Sequence, residues 1–216
     1  MSNKITKIRE HKVRHGNVYD TEEIEKFIGE DRATLYYSDP PWGSGNLKYW
    51  DTINKRQNEN VKESQDSSNF DITKFVTTIL KESKKYTKGW VVIEYGQRWS
   101  DDVIKMAKEQ GLFFCGKTYT LYRSGSKWLP VDMLVFNTER EIPLDLKGWS
   151  KIRNEQEIIS WFIKKVGIKE GSTIMDLCCG MGNTARVAMK HKCKFIGNEL
   201  NESRLAKTIK SLERGK

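Results

Sequence analysis

Short apolar runs alternate with segments of helical period along most of the chain. Residues 34–38 (TLYYS) form a β-prone run that stops at Asp39-Pro40-Pro41. Residues 71–86 have helical spacing, with Asp71 placed to cap and Phe75, Ile79 and Tyr86 along one face. Residues 90–95 (WVVIEY) predict a buried strand. Ser100 is expected to cap a helix over 101–110, which Gly111 ends. Residues 112–122 and 131–137 predict two strands, with RSGSKWLP between them as the connection of a hairpin. An amphipathic helix follows at 154–166, with Ile158, Ile159, Phe162, Ile163 and Val166 inward. The remaining pattern predicts a strand at 173–177, a helix at 183–191, a strand at 194–199 and a closing helix at 201–213.

Strand–helix alternation of this kind predicts an α/β fold, with a mostly parallel sheet covered by helices on both faces and an antiparallel hairpin at one edge. No internal repeat or Pro-rich linker divides the chain, so residues 1–216 are expected to form one domain. Residues 43–70 are polar and without period. They are expected to form a long loop, because structureless stretches of that length in compact domains are usually functional or mobile.

Charge adds a polarity to this picture. The net charge is +9. Residues 147–216 hold 15 basic and 7 acidic side chains, and the rest of the chain holds 23 and 22. A basic face of this kind suits a polyanion, or equally a solvated lysine-rich surface. Cys115, Cys178, Cys179 and Cys193 lack the spacing of a zinc site or a disulfide framework, so no metal is expected and a reducing compartment is. The first fifteen residues lack the apolar core of a secretory leader, and no run approaches the ~20 apolar residues of a membrane span.

Two segments carry candidate chemistry. In Ile174-Met-Asp-Leu-Cys-Cys-Gly-Met-Gly-Asn-Thr, an apolar strand ends at Asp176, a tight turn follows at Gly180 and Gly182, and a helix begins. Glu199 ends the next strand, where a carboxylate can accept from ribose hydroxyls. The missing third glycine argues against a dinucleotide, and the lack of a lysine-bearing phosphate loop argues against a triphosphate. A nucleoside without a pyrophosphate fits better. A purely structural strand–turn–helix corner with a surface Glu fits the same residues. The second segment is Asp39-Pro40-Pro41-Trp42. Its prolines remove two backbone donors and leave carbonyls free beside a carboxylate and an indole, a set that can hold a planar group bearing an amine. Taken alone, it fits equally a rigid turn with Trp42 packed in the core.

Together, DPPW and the later DLCCGMGNT…FIGNELN run resemble the S-adenosylmethionine-dependent amino-methyltransferases of nucleic acids. The order of the two motifs resembles the β-class of DNA adenine-N6 and cytosine-N4 enzymes. The resemblance spans nearly the whole chain. It implies a Rossmann-like class I methyltransferase fold, circularly permuted, with a seven-stranded sheet. By position it implies that Asp176, Cys178, Gly180 and Gly182 line the cofactor, that Glu199 binds its ribose and that Asn17 lies near its adenine. It implies a target-base pocket of Asp39, Pro40, Pro41 and Trp42. This chain has Asn17 where the family often has Asp, and Cys178 and Met181 where it usually has Phe and Ser.

The implied reaction is N6 methylation of adenine in DNA by base flipping and direct transfer, with cytosine-N4, RNA and a non-catalytic binding subunit as alternatives. Family members with strict specificity carry a separate recognition domain. Here only 43–70 and 123–130 are spare, which implies short or relaxed specificity, with Lys55, Arg56, Arg123 and Lys127 as candidate phosphate contacts. Dimers are common among relatives, which leaves a homodimer open. Lys- and Asn-rich usage points to an AT-rich genome, hence to the cytoplasm of a bacterium or a phage-infected host.

Overall fold

The computed structural model describes residues 4–41, 71–124, 126–147 and 154–215. Its eight strands are β1 (Lys4–Ile8), β2 (His11–His15), β3 (Ala33–Ser38), β4 (Thr87–Gly96), β5 (Phe113–Ser124), β6 (Lys127–Asn137), β7 (Thr173–Asp176) and β8 (Lys194–Glu199). Six helices are described: α1 (Thr21–Ile28), α2 (Ile72–Tyr86), α3 (Ser100–Glu109), α4 (Glu155–Val166), α5 (Asn183–Lys190) and α6 (Glu202–Arg214). The strands form one sheet in the order β1-β2-β8-β7-β3-β4-β6-β5.

Four neighbouring pairs are parallel (β2/β8, β8/β7, β7/β3 and β3/β4) and three are antiparallel, so the sheet is mostly parallel as the alternation predicts. It has eight strands rather than seven. The extra strand is β1, which hairpins onto β2 at the edge. Its KITKI sequence gives little apolar signal because three of its five residues are exposed, and lysines on an edge strand discourage pairing with other chains.

Each sheet face carries its own core. Tyr37, Val92 and Val135 pack under α4, α5 and α6, against Phe162, Ala185 and Leu205. Tyr36, Val91 and Phe136 pack under α1, α2 and α3, against Phe27, Ile79 and Val103. Strands buried on both faces read as continuous apolar runs, which is why WVVIEY has no alternation.

Three helix starts follow their sequence signals. Asp71 accepts from Lys74 N at 2.9 Å, Asn154 from Gln156 N at 2.9 Å and Asn201 from Arg204 N at 3.0 Å. Ser100 differs. It is the first residue of α3, with Trp99 in the cap position and no side-chain cap bond there. The hairpin connection is also shorter than its sequence suggests. Serines, Gly125 and Pro130 read as a loop, yet β5 runs to Ser124 and β6 starts at Lys127.

Sheet order places the site. β7 leads to β8 on one side, while its neighbour β3 leads to β4 on the other. Between β7 and β3 the direction of winding reverses, and a crevice opens outside the carboxyl ends of the two strands. Those ends are Asp176 and Ser38. Among the described residues no helix is long and apolar enough to cross a membrane.

Candidate active site

The two motifs meet at that crevice. Ser38, fully buried at the end of β3, donates its hydroxyl to Asp176 Oδ1 at 2.9 Å. The same oxygen accepts from Cys178 N at 3.0 Å, and Oδ2 accepts from the Thr184 hydroxyl at 2.8 Å. Asp176 is 3% exposed, and its carboxyl therefore joins β3, the glycine turn and the first turn of α5. Burial pushes its pKa up to about 7, against the pull of its three donors.

The glycine turn is closed from the other side by Glu199. Its Oε2 accepts from Gly180 N at 2.8 Å and its Oε1 from Asn201 N at 2.8 Å. Each carboxylate oxygen has a second lone pair, so the group can accept further bonds from a ligand. Gly182 has φ +83°, and a Cβ there would stand 2.7 Å from the Thr208 hydroxyl of α6. Only glycine combines that left-handed backbone with so close a helix. Cys178 is half-buried in the turn. Desolvation holds its thiol well above the usual range, and the Asp176, Glu199 and Asp39 charges add to the effect.

Asp39 is exposed immediately beyond β3, with Pro40 buried and Pro41 half-buried. Behind Asp39 lies Glu94 of β4, 4% exposed, which accepts a hydrogen bond from the Tyr37 hydroxyl. Desolvation raises the Glu94 pKa well above the carboxylate range, and the neighbouring Asp39 and Glu155 carboxylates push it further, so this group favours its neutral form. Glu155, at the start of α4, accepts from the Asn183 amide at the start of α5.

Asn17 sits on the opposite lip of the crevice. Gly16 N donates to Glu199 O at 3.1 Å, and the Asn17 side chain accepts from Tyr19 N at 3.0 Å. Beneath them Arg14, 1% exposed, donates to Asn198 Oδ1 at 2.8 Å and to Asn17 O at 3.2 Å. The Asn198 amide donates in turn to Gly16 O at 3.0 Å and Leu177 O at 3.1 Å. This buried network fixes the Asn17 loop to the strand that carries Glu199.

The structure thus gathers Asn17, Asp39, Pro40, Pro41, Asp176, Cys178, Gly180, Gly182 and Glu199 along one rim. Trp42, Lys55 and Arg56 lie outside the described residues, as does the 43–70 segment. Arg123 belongs to β5, opposite Trp128, and Lys127 is exposed at the start of β6. Sequence reasoning missed Ser38, Glu94, Arg14 and Asn198. The signal for Glu94 and Asn198 was a polar residue inside an apolar strand run, which is seldom tolerated without partners.

No protein-family model matches the chain, and no curated protein matches it in sequence. Solved structures do match. M1.HpyAVI in its complex with SAM is 13% identical, with a TM-score of 0.61 over 93% of this chain and 98% of that one. PvuII DNA methyltransferase, cytosine-N4-specific, is 14% identical, with a TM-score of 0.66 over 96% and 90%. TTHA0409 of Thermus thermophilus, complexed with S-adenosyl-L-methionine, is 13% identical, with a TM-score of 0.65 over 95% and 94%. The fold is that of the class I methyltransferases. At such identities the likeness establishes the chain's architecture, and the chemistry has to be argued from its own rim.

Proposed function

We propose that this protein transfers a methyl group from S-adenosylmethionine to the N6 amine of adenine in DNA. The observation that carries the proposal is the Ser38–Asp176 bond, which holds the Asp39-Pro40 carbonyl-and-carboxylate pair beside the turn of Gly180 and Gly182. The matched structures named as a DNA methyltransferase or complexed with the cofactor support it.

The residues at the rim fit the cofactor. Glu199 offers lone pairs to a ribose diol, and the turn between β7 and α5 lets a ligand approach the backbone. When bound, S-adenosylmethionine supplies an activated methyl group, so the protein needs no nucleophile of its own. Its tasks are alignment and charge.

The exocyclic amine of adenine is a weak nucleophile, because its lone pair is delocalised into the ring. Asp39 and the Pro40 carbonyl would accept hydrogen bonds from that amine and favour a pyramidal nitrogen. Pro40 and Pro41 have no N–H, so the turn presents acceptors to the amine. Trp42 would stack on the extruded base. In duplex DNA the base must leave the stack first, and stacking worth roughly 1–3 kcal/mol offsets part of that cost.

In this reading the chain is one catalytic unit of relaxed specificity, working in the cytoplasm. Lys55, Arg56, Arg123 and Lys127 hold phosphates, and residues 43–70 touch the target. A cytosine-N4 target is the second reading, favoured by the match to the PvuII enzyme. Methyl transfer from labelled cofactor to duplex DNA, single-stranded DNA and RNA, followed by nucleoside mass spectrometry, tests the proposal. N6-methyladenine in DNA is expected. N4-methylcytosine would install the second reading, and methylated RNA alone would overturn both.

A further inference from the structure

One element rises past the rim on which the candidate site sits. β4 ends at Gly96, which pairs with Val131 of β6. β5 and β6 continue for four further cross-strand pairs, from Leu121–Pro130 to Ser124–Lys127. At about 3.3 Å per residue, the hairpin projects roughly 13 Å beyond the end of its neighbour.

Large aromatic rings line one face of this projection and its foot. Directly opposed residues share a face, and alternate residues of a strand return to it. Trp128 and Tyr119 therefore lie on the same side, the side of Leu134 and of Tyr95 in β4. Trp99, from the single turn that follows β4, stands edge-on to Tyr95 at 6.4 Å. Trp128 is 44% exposed, Tyr119 46% and Trp99 36%. Exposed rings of this size, gathered on one face, mark a binding surface.

Charge selects the kind of partner. The exposed Arg98 guanidinium lies 5.8 Å from the Trp99 ring, and Arg123 pairs with Trp128 across the hairpin, while exposed Lys127 falls on the opposite face. Lys117 on the face of Trp128 is ion-paired with Asp132 at 3.4 Å and Asp101 at 3.8 Å, so the charge left for a partner there is that of Arg98 and Arg123. An aromatic platform edged with cations suits a polyanion that has flat faces. Side chains that read base edges are scarce here. The Gln97 amide is committed to Asp132 at 2.7 Å, and the projection carries no Asn or Gln.

We infer that this hairpin and the Gln97–Trp99 turn form an arm that holds single-stranded DNA beside the target base, stacking bases on Trp128 and Trp99 and gripping the backbone with Arg98. The inference deepens the proposed function and rests on DNA being the substrate. It gives a physical reason for relaxed specificity, because every base has a stacking face and phosphates carry no sequence.

The test is binding of a fluorescein-labelled oligothymidine of about a dozen nucleotides, which contains no adenine to methylate. Wild type is expected to bind it with quenching of tryptophan fluorescence and with an affinity that falls as salt rises. Trp128→Ala is expected to weaken binding about ten-fold, and Arg98→Glu to weaken it and flatten the salt dependence. S-adenosylmethionine affinity and the thermal midpoint should not move in either variant. Wild-type affinity in both variants overturns the arm, and so does loss of binding that tracks a change of oligomeric state. Methyl transfer to DNA with unaltered oligothymidine binding in both variants would sink the arm and leave the proposed function standing. Trp128-dependent binding with no transfer to any nucleic acid would do the reverse.

Discussion

Ser38 and Asp176 are separated by 138 positions in the chain and joined by a 2.9 Å hydrogen bond in a site closed to water. Ser38 immediately precedes the Asp-Pro-Pro turn, and Asp176 immediately precedes the glycine turn. One hydroxyl therefore fixes the relative position of the two segments on which the proposed chemistry depends. Removing it leaves a buried carboxyl oxygen with one donor fewer.

Ser38→Ala should accordingly cost about 1–3 kcal/mol of stability, read as a lower urea midpoint at unchanged m-value. If the junction aligns the two halves of the site, turnover should also fall in material that is fully folded. A variant as stable and as active as wild type would show that the junction is incidental.

Asp176 gives the protein a pH signature. Its pKa rises from 3.8 to about 7 on folding, so between those values the native state holds a proton that the unfolded state has lost. This contribution therefore lowers stability as pH climbs from about 4 to 7, by at most about 4 kcal/mol, and is level above 7. Denaturant titrations of wild type and Asp176→Asn across that range should differ in slope, the variant losing less stability with rising pH. Parallel curves would mean that Asp176 is ionised throughout.

Glu199 has two roles that a single conservative change can separate. Glu199→Gln keeps an acceptor for the Gly180 amide but removes the charge and one acceptor oxygen. Calorimetric titration should show S-adenosylmethionine binding weakened by about ten-fold or more, equivalent to about 1.4 kcal/mol, with a smaller effect on unfolding. Unchanged affinity would remove Glu199 from the cofactor site.

Asp39 is exposed, so Asp39→Ala should alter stability by less than about 0.5 kcal/mol. Its loss should abolish methyl transfer while cofactor binding persists. Activity surviving the substitution would remove Asp39 from the reaction.

Local sequence determined a good deal of this protein. The period of Ile158, Ile159, Phe162 and Ile163 defines α4, the apolar run WVVIEY defines β4, and Asp71, Asn154 and Asn201 mark the starts of three helices, because periodicity and capping act within a few residues. The Asp-Pro-Pro and Gly-x-Gly segments could also be seen to end strands. What the sequence could not supply was the pairing of partners far apart in the chain. β1 and β2 look like a polar N-terminus until Arg14 is seen to bury its guanidinium against Asn198, 184 positions away. Glu94 looks like a misplaced charge until the Tyr37 hydroxyl meets it. Whether the two strand ends share a crevice was decided by the order of β7 and β3 in the sheet. Strand neighbours are chosen by hydrogen bonds and packing among elements remote in sequence, and neither leaves a local trace in the chain.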